Sequence, residues 1–323
     1  MPRNPFGENG LSYTIDRSHA FSQWGLSMGS KASANLIGYS TAIIQAILYS
    51  TMGIFGKLLY ATGLDSSQAM ILRMGFTVVY LGALLLIWRK HRLFSRHKET
   101  YIQSAFFFLS AWIYLLAVQH MNAGLVTCIF YTFPAVVALL NTIVFKEKMT
   151  WRVVMALALS IIGIILISGI LEPHAVFMEP LGVLFSVLAC LSFAGYSVII
   201  HVTSSEESSF TSTFTMSTVC LVASLVLFAP EVPGAFMGFD LYRFGIASGF
   251  AIIATILPIV LYIVAIKYIG STKAAILSLI ETPASLFLAW LILGETLSVI
   301  QLVGAVVIVA SVLVITLKGK DTA

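Results

Sequence analysis

Residues Tyr114 to Ile167 read YLLAVQHMNAGLVTCIFYTFPAVVALLNTIVFKEKMTWRVVMALALSIIGIILI, and Tyr262 to Ile315 read YIVAIKYIGSTKAAILSLIETPASLFLAWLILGETLSVIQLVGAVVIVASVLVI. A shift of 148 residues sets Tyr114 on Tyr262, Ala117 on Ala265 and Glu147 on Glu295, and leaves Pro134 and Pro283 one residue out of step. Each copy contains apolar runs of about twenty residues, long enough to cross roughly 30 Å of hydrocarbon as a helix. The pattern is that of an internally duplicated membrane protein.

Composition points the same way. The 323 residues are 59% hydrophobic and 10% charged, where a soluble domain carries about 25% charged residues. Ten apolar stretches are predicted as spans: Asn35 to Tyr60, Ser66 to Trp88, Tyr101 to Val118, Ala123 to Phe145, Trp151 to Leu171, Pro180 to His201, Phe210 to Phe228, Leu241 to Ile266, Thr272 to Leu293, and Leu297 to Leu317. The fold class expected is an all-α integral membrane protein with ten transmembrane helices in two inverted five-helix repeats. Residues 1–34 are polar, rich in Ser, Gly and Asn, and are expected to form a flexible cytoplasmic tail. Cys128, Cys190 and Cys220 fall inside predicted spans without paired spacing, which indicates neither a disulfide framework nor a zinc site. No cofactor is expected.

The net charge of +4 does not point to nucleic acid, because the basic residues are sorted by loop. With the N-terminus cytoplasmic, fifteen of the eighteen Lys and Arg residues fall on the inner side; Lys57, Arg73 and Arg243 are the exceptions. That is a positive-inside distribution for ten spans with both termini cytoplasmic. The Arg89 to Lys98 run reads first as a topology determinant, with an anionic-lipid site as the alternative. The chain divides near Glu172-Pro173-His174 into repeats 35–171 and 172–323. Five spans per repeat is an odd number, so the second copy is inverted. Lys267 and Lys273 occur only in the copy whose connecting loop lies inside, as inversion requires.

Four segments carry a family resemblance: AILYSTMGIFGKLL in span one, ILRMGFTVVYLGALLLI in span two, FPAVVALLNTIVFKEKMT in span four, and ETPASLFLAWLILGETLSVIQLVGAVVIVASVLVI in spans nine and ten. Together they resemble the drug/metabolite transporter superfamily, specifically its EamA-type members, from about Asn35 to Leu317. Two positions depart from the family pattern: its glycine-glutamate signature reads Lys146-Glu147 here, and its Glu-Pro reads Glu281-Thr282-Pro283. The resemblance implies transport of a small organic solute, with a cavity bounded by spans one, three, four, six, eight and nine.

Charges at membrane depth are the natural site candidates, because each costs at least about 2.5–3.5 kcal/mol at a bilayer centre. Glu281 is the acid nearest mid-depth, either a proton-coupling or solute-binding carboxylate or a structural partner for a base. Arg73, in span two, could fork onto a carboxylate or phosphate or pair with another helix. Gln45, Tyr49, Trp112, Tyr131, Tyr196 and Tyr262 offer hydrogen-bonding tips and stacking faces to a solute, against the alternative of packing or interfacial belts. Ser50, Tyr114, Thr132, Ser192, Thr255 and Ser278 are further polar candidates. Glu147 and Glu295 read as caps of the following helices. Pro134, Pro258 and Pro283 interrupt spans four, eight and nine. Gly53, Gly56, Gly163 and Gly304 suggest close helix packing.

No nucleotide-binding loop supports an ATP-driven pump, and no reactive constellation supports a membrane-embedded enzyme. The expected function is secondary transport by alternating access at the inner membrane: export of amino acids or related metabolites, with proton coupling or exchange. Uptake of a nucleotide-like or cofactor-like solute is the alternative. Expected partners are the lipid bilayer and a small-molecule solute, with no nucleic acid; a homodimer is an allowed assembly.

Overall fold

A computed structural model describes residues 28–88, 91–120, 123–168, 179–203, 207–294 and 297–316, and these are helical almost throughout. Among the described residues nine helices are long and apolar enough to cross a membrane: Ser33–Tyr60, Ser66–Trp88, Lys98–Ala117, Leu125–Phe145, Pro180–Thr203, Ser209–Leu227, Leu241–Ile269, Ser271–Ile292 and Val299–Thr316. The remaining expected span is the 17-residue helix Trp151–Ile167, about 25 Å at 1.5 Å per residue. Ten spans are numbered below in chain order, with Trp151–Ile167 as the fifth. The first helix begins at Met28, so the expected tail is helical from there. The rest of the tail, the Glu172 division point and Glu295 lie outside the described residues.

The outward faces of the spans are apolar as well as the core. In the tenth span Gly304, Ile308 and Ser311 are buried while Val299 and Val306 are exposed. Hydroxyl and small residues turn inward because apolar side chains gain little by leaving lipid, whereas polar groups must find partners in protein.

Helix pairing follows the duplication. The third span packs on the sixth and the eighth on the first; the fourth packs on the sixth and the ninth on the first. The second and seventh, fourth and ninth, and fifth and tenth pair with one another. Each contact maps onto another, or onto itself, when the two five-span halves are exchanged. The third and sixth spans run antiparallel, since Gln103 and Ser110 of one meet Thr203 and Ala189 of the other.

Glycines at 163 and 304 let the fifth and tenth spans touch. A Cβ at Gly163 would lie 2.6 Å from Ile308 Cγ1 and 3.0 Å from the Gly304 carbonyl oxygen. Gly53 and Gly56 behave otherwise: nothing lies within 4 Å of a Cβ at Gly53, and Gly56 meets only Tyr60 of its own helix. They open space instead of closing it.

Helix ends also obey the repeat. The fourth span stops at Lys146, in the left-handed conformation (φ 54°, ψ 33°), and the ninth stops at its counterpart Gly294 (φ 68°, ψ 21°). Lys146 is the one non-glycine with positive φ among the described residues, so the departure from the family glycine is borne as backbone strain. Hydroxyls cap the helices that follow these turns. Thr150 accepts from the Val153 N–H at 3.4 Å. Ser298, 148 residues on, accepts from Gln301 at 3.2 Å while its own N–H donates to Gln301 Oε1 at 3.0 Å, a reciprocal capping box.

Two stability measurements in detergent test this packing. Gly163→Leu is expected to cost about 1–3 kcal/mol by forcing apart the fifth and tenth spans; an unchanged melting temperature would contradict the close contact. Lys146→Gly is expected to stabilise the protein by about 1 kcal/mol through relief of the left-handed strain, and a fall in melting temperature would refute that assignment.

Candidate functional site

Three spans carry a break at mid-helix. The fourth breaks at Tyr131-Thr132, between Ala123–Phe130 and Phe133–Phe145, and the ninth at Leu279-Ile280, between Ser271–Ser278 and Glu281–Leu293. These sites are 148 residues apart. Pro134 and Pro283 lack an N–H and crowd the carbonyl four residues earlier, and the chain answers with i→i−3 bonds such as Ala135 N–H to Thr132 O at 2.9 Å and Thr282 N–H to Leu279 O at 3.1 Å. The first span breaks at Ser50-Thr51 without a proline. There the Ser50 and Thr51 hydroxyls donate back to Ile47 O at 2.6 Å and Leu48 O at 2.7 Å, competing with the helical ladder. In the eighth span a π-helical turn, Ile252–Ile256, precedes Pro258.

The breaks surround a cavity of about 570 Å³ that reaches the turn between Tyr60 and Ser66. Gln45, Tyr49, Arg73, Tyr131, Tyr196, Tyr262 and Glu281 all line it. Trp112 does not: it faces a separate apolar groove with Phe108 and Val219, because its position on the third helix points toward the seventh span. Ser50, Tyr114 and Ser278 join the lining. Thr132 instead meets Cys190. The second span also lines the cavity, through Ser66, Ala69, Met70 and Arg73, in addition to the six spans expected.

Arg73 is held by the π-helical turn. Its Nε donates to Thr255 Oγ1 at 2.7 Å, and Thr255 in turn donates to the Phe250 carbonyl at 2.9 Å across five residues. The threonine hydroxyl therefore accepts from Arg73 while donating to that carbonyl. The guanidinium carbon sits 5.2 Å from the Phe250 ring centroid, within cation–π range. Gln45 Nε2 donates to Ser278 Oγ at 2.8 Å, joining the first and ninth spans. The Tyr262 hydroxyl pairs with Ser197 Oγ at 2.9 Å, and its ring lies nearly parallel to that of Tyr196.

Glu281 opens the second half of the broken ninth span. Tyr131, from the break in the fourth, is turned toward it, and the Arg73 charge acts on it from across the cavity. The apolar wall is aromatic: Phe193 packs on Phe130, Phe133 and Tyr196 with centroids 4.7–5.5 Å apart. Phe130, Phe133, Phe193 and Thr127 were missed among the sequence candidates. Thr127 could have been found, since it stands four residues before Tyr131 on the same helical face, and its hydroxyl bonds Tyr114 at 2.8 Å.

The opposite end of the cavity is closed by polar bonds, four of them between the halves and one within the second half. Asn141 Nδ2 donates to Ser271 Oγ and Thr272 Oγ1, both at 2.7 Å, and the Ser271 N–H donates to His201 Nδ1 at 3.2 Å. Gln103 Nε2 donates to Ser212 Oγ at 2.7 Å, and Thr100 Oγ1 to Glu207 Oε2 at 3.0 Å. Arg92, Arg96, Lys98, Lys146, Lys148, Lys267 and Lys273 lie at or near this face.

A sequence model of the EamA-like transporter family matches residues 36–169 and again 180–317. An uncharacterized transporter of Archaeoglobus fulgidus is 26% identical over 86% of this chain and 95% of its own length. The uncharacterized transporter YcbK of Bacillus subtilis is 20% identical over 81% and 87%, and an uncharacterized transporter of Clostridium kluyveri is 23% identical over 84% and 90%. A solved crystal structure of a protein has the same fold, with a TM-score of 0.73 at 16% identity over 88% of this chain and 98% of that one.

Thr255→Val keeps the shape at the π-helical turn and removes the Arg73 acceptor. It is expected to cost about 1–3 kcal/mol of unfolding free energy in detergent, with Thr255→Ser near wild type. Equal melting of all three proteins would show that the contact contributes nothing.

Proposed function

The chain belongs to the EamA-like transporter family, and from that premise we propose that it is a secondary carrier that exports amino acids or related small metabolites across the inner membrane by alternating access. One observation carries the reading: a cavity of about 570 Å³ at the breaks of three helices, entered from one face and sealed at the other. A pore would be open at both ends, and a receptor pocket would not need matched helix breaks in two inverted halves. The basic residues gather on the sealed face, which the positive-inside rule sets in the cytoplasm. The cavity then faces outward, and both termini lie inside.

In this reading Glu281 is the coupling carboxylate. It is the one acid among the residues that line the cavity, and its counterpart in the first copy is Phe133. A titratable group present in one half alone can bias the rocking of two otherwise similar halves according to its protonation.

Counterflow in proteoliposomes, with labelled amino acids outside and excess unlabelled solute inside, is expected to be saturable. Conversion of a solute without its movement would overturn the carrier reading. Glu281→Gln is expected to abolish pH-gradient-driven accumulation while exchange persists at raised solute concentration, and accumulation unchanged at every pH would remove the coupling role.

A further inference from the structure

We propose that Arg73 anchors the carboxylate of a dipolar solute whose cationic end meets Glu281, an inference that deepens the transport reading for passage but stands apart from it for binding. A guanidinium has five N–H donors and no acceptor. Arg73 is 4% exposed; Thr255 occupies Nε and Phe250 the planar face, and the Tyr49 hydroxyl lies beside the guanidinium. Nη2 is buried with no hydrogen-bond partner. A buried cation with an unpaired donor is costly unless an anion meets it, and Arg73 lines the cavity.

The acid on hand does not fill that role. Arg73 and Glu281 are the one cation and the one anion among the lining residues, yet no ion pair within 4.0 Å joins them among the described residues. Two unlike charges held apart across a small apolar-walled cavity match a solute with its own separated charges of opposite sense. Such a solute engages both ends at once, whereas a simple anion would engage Arg73 alone and a simple cation Glu281 alone. Thr282 Oγ1, beside Glu281, is a further buried polar atom without a partner, and it also lines the cavity. The hydroxyl adds a hydrogen bond for the cationic end. Purely structural service by Arg73 would account for its contacts to Thr255 and Phe250, but not for an empty Nη2 at the cavity.

The test measures thermal stabilisation of the purified full-length protein by leucine, phenylalanine, their C-terminal amides and 3-phenylpropanoate. Each amino acid is expected to bind roughly tenfold or more tightly than its amide, the range of one hydrogen bond to a charged group. Arg73→Lys should keep a reduced preference for the acid, and Arg73→Gln should abolish it. Glu281→Gln should weaken phenylalanine and leave 3-phenylpropanoate unchanged, since that acid has no ammonium. Equal binding of acid and amide by the wild-type protein, or binding of none of the acids, overturns the proposal, and this comparison needs no variant to fold. Acid-selective binding without counterflow would refute the carrier reading and leave the anchor standing. Counterflow indifferent to the carboxylate would do the reverse.

Discussion

The bilayer offers no water to a free backbone N–H or carbonyl, and that constraint governs the rest of this molecule. It makes every crossing helical, and it restricts irregular backbone to places where protein or an aqueous cavity can supply partners. All three mid-helix breaks and the π-helical turn lie beside one cavity. The breaks are repaired locally, by i→i−3 bonds at the prolines and by Ser50 and Thr51 hydroxyls in the first span. Thr255 in the eighth does double service, because the hydroxyl that donates to the Phe250 carbonyl also receives Arg73. Backbone accounting and placement of the buried cation are therefore one arrangement.

Duplication supplies the frame and divergence supplies the site. Left-handed caps at Lys146 and Gly294, hydroxyl caps at Thr150 and Ser298, and breaks at Tyr131-Thr132 and Leu279-Ile280 all recur at the same interval. Tolerating a lysine where its counterpart is glycine shows how strongly the turn geometry is imposed on sequence. The lining is not repeated in this way. Glu281 stands where the first copy has Phe133, and the aromatic wall gathers around Phe193. A scaffold must be matched for the halves to pair, but a solute occupies one cavity and needs its groups once.

Most of the frame could be read from the sequence because its signals are local or repeated. Prolines mark the breaks of the fourth and ninth spans, and the 148-residue interval pairs them. The break in the first span lacked a proline, so two hydroxyls in succession had to be read as competitors of the ladder. The π-helical turn was illegible for a different reason: its polar partner, Arg73, is 182 residues away. Helix starts favour hydroxyls as well as anions, and Thr150 and Ser298, which did not stand out in the sequence, reach N–H groups at the starts of the fifth and tenth spans. Trp112 was chosen by residue type, and type does not fix which face of a uniformly apolar helix turns inward. The same uniformity hid the second span's share of the cavity.

The seal at the basic face is built for reversal. Its bonds join the two halves through neutral amides and hydroxyls, together with one threonine–glutamate contact, and an imidazole bond braces the second half's side of the seal. Interhelical hydrogen bonds in membrane proteins average about 0.6 kcal/mol each, so a handful amounts to a few kcal/mol. That is the size of gap across which a minor conformer stays populated and a ligand can shift the balance. A seal of close-packed glycine contacts, like that between Gly163 and Gly304, would yield only by pulling apart tightly fitted helices. The molecule places that rigid contact between the fifth and tenth spans, away from the cavity lining, and leaves exchangeable polar contacts at the end of the solute pathway. On the proposed alternating-access reading, this distribution of stiff and soft contacts would place the moving parts around Arg73 and Glu281.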